Sequence, residues 1–238
     1  MKYKNILIKI SGEALAGEKS SSNGIDEKLL GNFCKDLINI QKKKIGISIV
    51  IGGGNIFRGL KGTKVGFDRI YGDYMGMLAT AINALAFKSF LESLNSKVEI
   101  FSSFKIGSFI KEYEIKEARK LLKENYIIIL AGGLGHPFFT TDTTAALRAI
   151  ELSADILIKA TKVDGVYDKD PMLFNDAKKY DYLDYQTAIN KKLQVMDLTA
   201  ISLCMENNLP ICVLNIFKKD CLINFLSGKK IGSIIGGD

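Results

Sequence analysis

Four short stretches of this chain combine glycine, lysine, threonine and aspartate in patterns that suit phosphate chemistry. The first is Lys9-Ile10-Ser11-Gly12, at the end of an apolar run. A lysine inside such a run is costly to bury unless it points into a charged cleft. Gly12 lets a ligand approach the backbone closely. The second is Gly52-Gly53-Gly54-Asn55, followed by Arg58. Three glycines expose backbone N–H groups as an anion nest, and an arginine adds a fork for phosphate oxygens. The third runs from Gly132 to Asp142 (GGLGHPFFTTD). Its two threonine hydroxyls and free N–H groups at a helix start form an anion site. Asp142 has two readings there, a helix N-cap or a carboxylate that organises a lysine or a metal. Phe138 and Phe139 are either core residues or the wall of a site for an aromatic base. The fourth, Lys159 to Pro171 (KATKVDGVYDKDP), offers Tyr167 as a flat face and Asp170 as an acceptor, which suits a nucleoside.

Other chemistries are excluded by what these stretches lack. No glycine-lysine-Ser/Thr triplet occurs, so there is no Walker A loop, and the dinucleotide fingerprint is absent too. The single histidine, His136, and four cysteines without CxxC spacing argue against a zinc site. They also leave no good nucleophile–base pair for a hydrolase. Phosphoryl transfer needs no such pair, because its catalysis is mostly positioning and charge neutralisation.

The elements that must position these residues follow from hydropathy. Continuous Ile/Val/Leu runs at 5–10, 47–51, 98–101, 126–131, 155–160, 211–214 and 233–235 read as strands buried on both faces. Amphipathic stretches beginning near Asp26, Asp73, Glu114, Thr143, Asp197 and Asp220 read as helices. In the Asp73 helix, Met77, Leu78, Ala81, Ile82, Leu85 and Ala86 are expected to face inward. The alternation predicts an α/β fold: a three-layer α/β/α sandwich around a mainly parallel sheet of about seven or eight strands. With no linker or repeat visible, residues 1–238 are expected to form one domain. Three of the four Gly-rich stretches directly follow a strand, and the crevice at such strand ends is where open parallel sheets bind ligands.

With 238 residues, 47% of them hydrophobic, the chain is long and apolar enough to bury a core. Its net charge of +7 favours anionic partners, but all except four of its 33 basic residues are lysines, which reads as a solvated surface. No basic block with interleaved aromatics suggests nucleic acid. No apolar run approaches the length of a membrane span, and Lys9 and Glu13 interrupt the opening segment, so neither a membrane helix nor a signal peptide is expected. A cytoplasmic setting follows as the default.

Six blocks carry a resemblance to a known family. They are KISGEAL at 9–15, IGGGNIFRG at 51–59, GDYMGMLAT at 72–80, GHPFFTTD at 135–142, KATKVDGVYDKDP at 159–171 and VMDLTA at 195–200. In this order, over about Lys4 to Ile235, the chain resembles the bacterial-type uridylate (UMP) kinases of the amino-acid kinase superfamily. The resemblance implies the reaction ATP + UMP → ADP + UDP in pyrimidine nucleotide synthesis, Mg²⁺ carried with ATP, and a homohexamer. It also implies roles. Lys9, Ile10, Ser11, Gly12, Gly54 and Arg58 would serve the ATP phosphates, and Thr161, Tyr167 and Asp170 the adenosine end. Gly53, Asp73, Leu134, Gly135, His136, Pro137, Phe138, Phe139, Thr140 and Thr141 would bind UMP. Lys9, Arg58 and Asp142 would act in catalysis, with no dedicated protein cage for a metal. Leu134 stands where relatives often carry a hydroxyl, and His136 where they often carry Asn.

Overall fold

A computed structural model describes residues 2–16, 24–57, 66–193, 195–216 and 218–236. Arg58, expected to contact phosphate, lies outside the described residues. In chain order the described elements are β1 (Asn5–Ile10), α1 (Gly12–Leu15), α2 (Glu27–Gln41), β2 (Gly46–Ile51), α3 (Arg69–Ser93), β3 (Val98–Ser102), β4 (Lys111–Glu112), α4 (Ile115–Lys123), β5 (Ile127–Ala131), α5 (Thr141–Glu151), β6 (Ile156–Ala160), β7 (Val166–Tyr167), β8 (Lys179–Tyr180), β9 (Tyr182–Asp184), α6 (Tyr185–Asn190), α7 (Leu198–Glu206), β10 (Ile211–Leu214), α8 (Cys221–Leu226) and β11 (Ser233–Gly236).

Nine strands form one sheet in the order β4-β3-β5-β2-β1-β6-β10-β11-β9. From β4 to β10 every neighbouring pair is parallel, and β11 turns antiparallel against β10. The seven runs read from hydropathy are all strands. The expected seven or eight strands fall short of nine because β4 and β9, with two and three residues, are too short to leave an apolar run. β7 and β8 form a separate antiparallel ribbon.

Strand alternation sorts the core into two layers. Ile6, Ile8, Ile10, Ile47, Ile49 and Ile51 face α2, α3 and α8, while Leu7, Val50, Ile128, Leu130 and Leu157 face α4, α5 and α7. Helices on both faces of a mostly parallel sheet make the three-layer sandwich that the alternation predicts. Lys9 shares its parity with Leu7, so its side chain leaves the sheet on the α5 side. In-register pairing places it beside Lys159 on β6.

Two helix starts differ from expectation. α3 begins at Arg69 with Asp68 as N-cap, and α5 begins at Thr141 with Thr140 as N-cap. Neither Asp73 nor Asp142 is therefore a cap. In each case a residue two to five positions upstream offers an oxygen to the free N–H groups.

The inward face of α3 also differs. Met77 and Ala81 are buried, but Leu78, Ile82 and Leu85 are 50%, 53% and 39% exposed. Thr80, Asn83, Ala84, Phe87 and Leu91 are buried instead. The helix is apolar around most of its circumference, so hydropathy did not mark the face on which two polar residues meet the glycine loops. For the same reason α3 is, among the described residues, long and apolar enough to cross a membrane, with mean hydropathy 1.2. The sequence reading expected no such run. Its buried Thr80 and Asn83, bonded to loops at the sheet's strand ends, mark it as a core helix.

α3 approaches the triple-glycine turn so closely that only glycine fits. A Cβ added at Gly53 would lie 2.6 Å from the Gly76 carbonyl oxygen and 2.8 Å from Ala79 Cβ. Helix backbone cannot yield to it. Gly53→Ala is expected to destabilise the fold by about 1–3 kcal/mol, as overpacking does. Urea unfolding of the two proteins checks this, and equal stability would show that the turn moves freely.

Candidate active site

The C-terminal ends of β1 and β2 and the loop after β5 surround a cavity of about 540 Å³. Lys9, Ser11 and Gly12 come from the β1 turn, Gly52, Gly53 and Gly54 from the β2 turn, and Gly133, Leu134, Phe139, Thr140 and Thr141 from the β5–α5 loop. α3 closes the remaining wall with Arg69, Asp73, Met77 and Thr80. Three of the four stretches singled out in the sequence therefore meet in one place. The fourth lines an adjoining cavity of about 410 Å³ with Thr161, Tyr167 and Asp170. A smaller cleft lined by Lys9, Ser11, Lys159 and Thr161 lies between them.

Beside the cavity, Asp142 bridges Lys9, which lines it, and Lys159, which shares the smaller cleft with Lys9. Its Oδ1 lies 2.7 Å from Lys9 Nζ and its Oδ2 lies 3.3 Å from Lys159 Nζ. Burial pushes the Asp142 carboxyl up, but the two ammonium groups outweigh it and hold it below the ordinary carboxylate range. Lys159 is held below the ordinary lysine range by burial, with Lys9 adding to the effect and Asp142 opposing it. The cluster carries one surplus positive charge, and its Asp142 lies in the first turn of α5, at the positive end of the helix dipole. An anion placed here meets two cations and a helix N-terminus.

Lys159 was quoted in the sequence only as part of a loop block, without a role. Its partnership with Lys9 depends on the register between β1 and β6, which no local pattern reveals. The VMDLTA block explains how the cluster is held. Val195 offers its carbonyl oxygen to Lys159 Nζ, and Asp197 accepts from the hydroxyls of Thr140 and Thr143. Asp197 also caps α7 by accepting the Ala200 N–H, so it ties the start of α7 to the start of α5.

The residues expected on the acceptor side divide into two groups. Leu134, Phe139, Thr140 and Thr141 line the main cavity with Gly53 and Asp73, whereas Gly135, His136, Pro137 and Phe138 do not. Asp73 is held by Arg69, whose Nε lies 2.9 and 2.8 Å from its two carboxylate oxygens. Asp73 Oδ2 also accepts the N–H of Phe138, which sits at φ +72° with its ring 5.4 Å from the Arg69 guanidinium. Asp73 thus anchors the acceptor loop to α3, a link that only the fold discloses.

Among the residues expected on the donor side, Ser11 caps α1 through the Ala14 N–H, and Ile10 is fully buried, which leaves only its backbone for a ligand. Thr161 bonds to Val163 within its own turn, and Asp170 Oδ1 accepts the Met172 N–H. Among the described residues no group of three or more His, Cys, Asp or Glu side chains could hold a metal. Burial pushes the thiols of Cys34 and Cys204 up to about 12, which leaves them un-ionised at neutral pH.

Comparison with known proteins agrees with this arrangement. The model of the amino acid kinase family matches residues 4–215. A crystal structure of UMP kinase from Bacillus anthracis is 37% identical, with a TM-score of 0.95, covering 100% of this chain and 98% of that one. UMP kinase from Ureaplasma parvum is 36% identical with a TM-score of 0.92, covering 100% of both chains. Uridylate kinase from Archaeoglobus fulgidus is 26% identical with a TM-score of 0.73, covering 97% of this chain and 99% of that one.

Replacing Asp142 with Asn removes the anion between the two lysines and spares the helix cap, which is Thr140. In Asp142→Asn, Lys159 is expected to lose its proton at a lower pH than in the parent protein, because the charge that opposes its desolvation is gone. The alkaline limb of the kcat/KM–pH profile should move to lower pH, with activity at neutral pH falling about 10²-fold, comparable to loss of one preorganised charge partner. The parent carboxylate, with its depressed pKa, contributes stability above its unfolded-state pKa that is lost as pH falls through the folded value. The Asn variant should lack that acid-side loss. An unmoved alkaline limb would overturn the bridging role.

Proposed function

The chain belongs to the amino acid kinase family, and from that premise we propose that it transfers the γ-phosphoryl group of ATP to UMP, giving ADP and UDP. The observation that carries the proposal is the Lys9–Asp142–Lys159 cluster, whose Lys9 reaches a cavity that Gly133, Leu134, Phe139, Thr140 and Thr141 help to wall. Its support is likeness along the whole chain to two UMP kinases. The reaction is a phosphotransfer, and the chain is an enzyme of that class.

The acceptor is a phosphate oxygen of UMP. The second pKa of such a phosphate lies near ~6, so the nucleophile is anionic at neutral pH and needs no general base. The obstacle is repulsion between two polyanions. Lys9 and Lys159 neutralise charge on the transferring group, and Asp142 keeps both ammonium groups aimed at it. The N–H groups of Gly12, Gly53, Gly54 and the first turn of α5 cradle phosphate oxygens, and Arg58 serves the donor phosphates. Thr161, Tyr167 and Asp170 take the adenosine end. Asp73, Thr140, Thr141, Leu134 and Phe139 line the UMP side, where Asp73 meets the ribose. Gly135, His136, Pro137 and Phe138 shape that loop.

Mg²⁺ enters with ATP as part of the substrate, since phosphate oxygens suit this hard cation. The setting proposed is cytoplasmic pyrimidine nucleotide synthesis, with residues 1–238 acting as one domain and no need of membrane or nucleic acid. A homohexamer is proposed as the assembly. The exposed stripe of Tyr71, Tyr74, Leu78, Ile82 and Leu85 on α3 supports burial against a second copy.

The decisive test is ADP release with UMP, CMP, aspartate, glutamate or carbamate as acceptor. UMP is expected to support turnover and the amino acids and carbamate are not, and turnover with one of those acceptors alone would overturn the proposal. Within that assay Asp73→Ala is expected to raise the KM for UMP about 10- to 100-fold, the equivalent of one lost hydrogen bond to a charged group, and to move the KM for ATP less than about twofold. Equal weakening of both substrates would show that Asp73 only supports the fold.

A further inference from the structure

Resting on that reading of the reaction, we infer that Asn55 and Asn83 are positioning residues for phosphoryl transfer. Their paired amides hold the triple-glycine turn against the Gly12 turn. Asn83 lies on α3 and is fully buried. Its Nδ2 donates to the Gly52 carbonyl at 2.8 Å and to Asn55 Oδ1 at 2.8 Å. Asn55 Nδ2 donates in return to Asn83 Oδ1 at 3.0 Å, and to the Gly24 carbonyl at 2.7 Å. Both hydrogens of both amides are therefore used.

This geometry changes the meaning of Asn55. Beside three glycines it looks like a phosphate ligand, but its donors are turned into the protein and have none left for a ligand. The pair lies where two phosphate-binding turns touch. A Cβ added at Gly12 would strike the Asn55 side-chain oxygen and come within 2.5 Å of the Gly54 nitrogen. The Gly52 N–H donates to the Ile10 carbonyl at 2.8 Å, which joins the two turns directly. The β1 end that carries Lys9, the β2 turn and α3 thus converge on one amide pair.

Amides suit this junction because they make four hydrogen bonds and add no charge beside a site for polyanions. A carboxylate at position 83 would face the Gly52 carbonyl and Asn55 Oδ1 with acceptors only, at a buried position. Loss of either amide frees Gly53 and Gly54 to shift relative to Lys9 and Ser11. A misplacement of about 1 Å in such a constellation costs about 10²-fold in rate.

The test uses the full chain with Asn83→Ala, Asn55→Ala and the double variant. Leu91→Ala, a buried residue of the same helix away from the cavity, serves as a control for lost packing. Rates are taken well below each melting temperature. Each single Asn variant is expected to lower kcat about 10- to 100-fold, while the KM for ATP and for UMP moves less than about threefold. The double variant should fall within about threefold of the worse single variant, because the two amides act as one unit. Leu91→Ala should lower the melting temperature and keep kcat. The inference is overturned if Asn55→Ala keeps its kcat, if Leu91→Ala loses as much, or if the two single losses multiply in the double variant. Should Asn83→Ala fail to fold, Asn55→Ala decides alone, since it leaves the bond from Asn83 to Gly52. The ratio of variant to parent kcat is measured with whichever acceptor supports ADP release. A failure of the UMP reading therefore stays separate from a failure of this one.

Discussion

Lys9 and Lys159 occupy paired positions on adjacent strands, and two buried ammonium groups so placed repel unless an anion lies between them. Asp142 is that anion, and its position depends on the start of α5 being held over the ends of β1 and β6. Thr140 caps the helix, and Asp197 ties the cap to α7. Val195 takes the remaining reach of Lys159 through its carbonyl. The sheet register, the helix start and the loop before α7 thus meet one electrostatic requirement. The surplus positive charge they leave is what a phosphate can use.

α3 meets the opposite requirement, the placement of uncharged backbone. Glycine turns bind phosphate well because their N–H groups are exposed, but the same freedom leaves them poorly ordered on their own. Along one side of α3, Asp73 takes the Phe138 N–H, Thr80 takes the Gly132 N–H and Asn83 donates to the Gly52 carbonyl. Gly53 packs directly on the helix, where a Cβ would strike the Gly76 carbonyl and Ala79. Successive turns of one helix therefore hold the triple-glycine turn and the β5–α5 loop at a set separation. The other side of α3 carries exposed apolar residues.

Much of this was legible in the chain itself. Continuous apolar runs identified seven strands because strands buried on both faces admit little else. Glycine, lysine and threonine at strand ends marked the site because open parallel sheets place their ligands there. Lys9, Gly53, Thr140 and Thr141 all reach the cavity. Less was legible where local signals were shared. Asp73 and Asp142 look like caps because aspartate does begin helices, yet Asp68 and Thr140 have that role. His136 and Phe138 stand within the same block but are not part of the cavity lining.

The sequence alone determined the layer order, the strand-end location of the site and the phosphate chemistry of its residues. These follow from periodicity and residue type, both of which are local. The tertiary structure decided which charges and amides meet. Lys9 and Lys159 are paired by strand register across most of the chain, and Asn55 meets Asn83 only because α3 packs over the β2 turn. Such contacts join residues far apart in the chain. Their energies depend on distance and burial, and neither exists until the sheet has formed and the helices have docked on it.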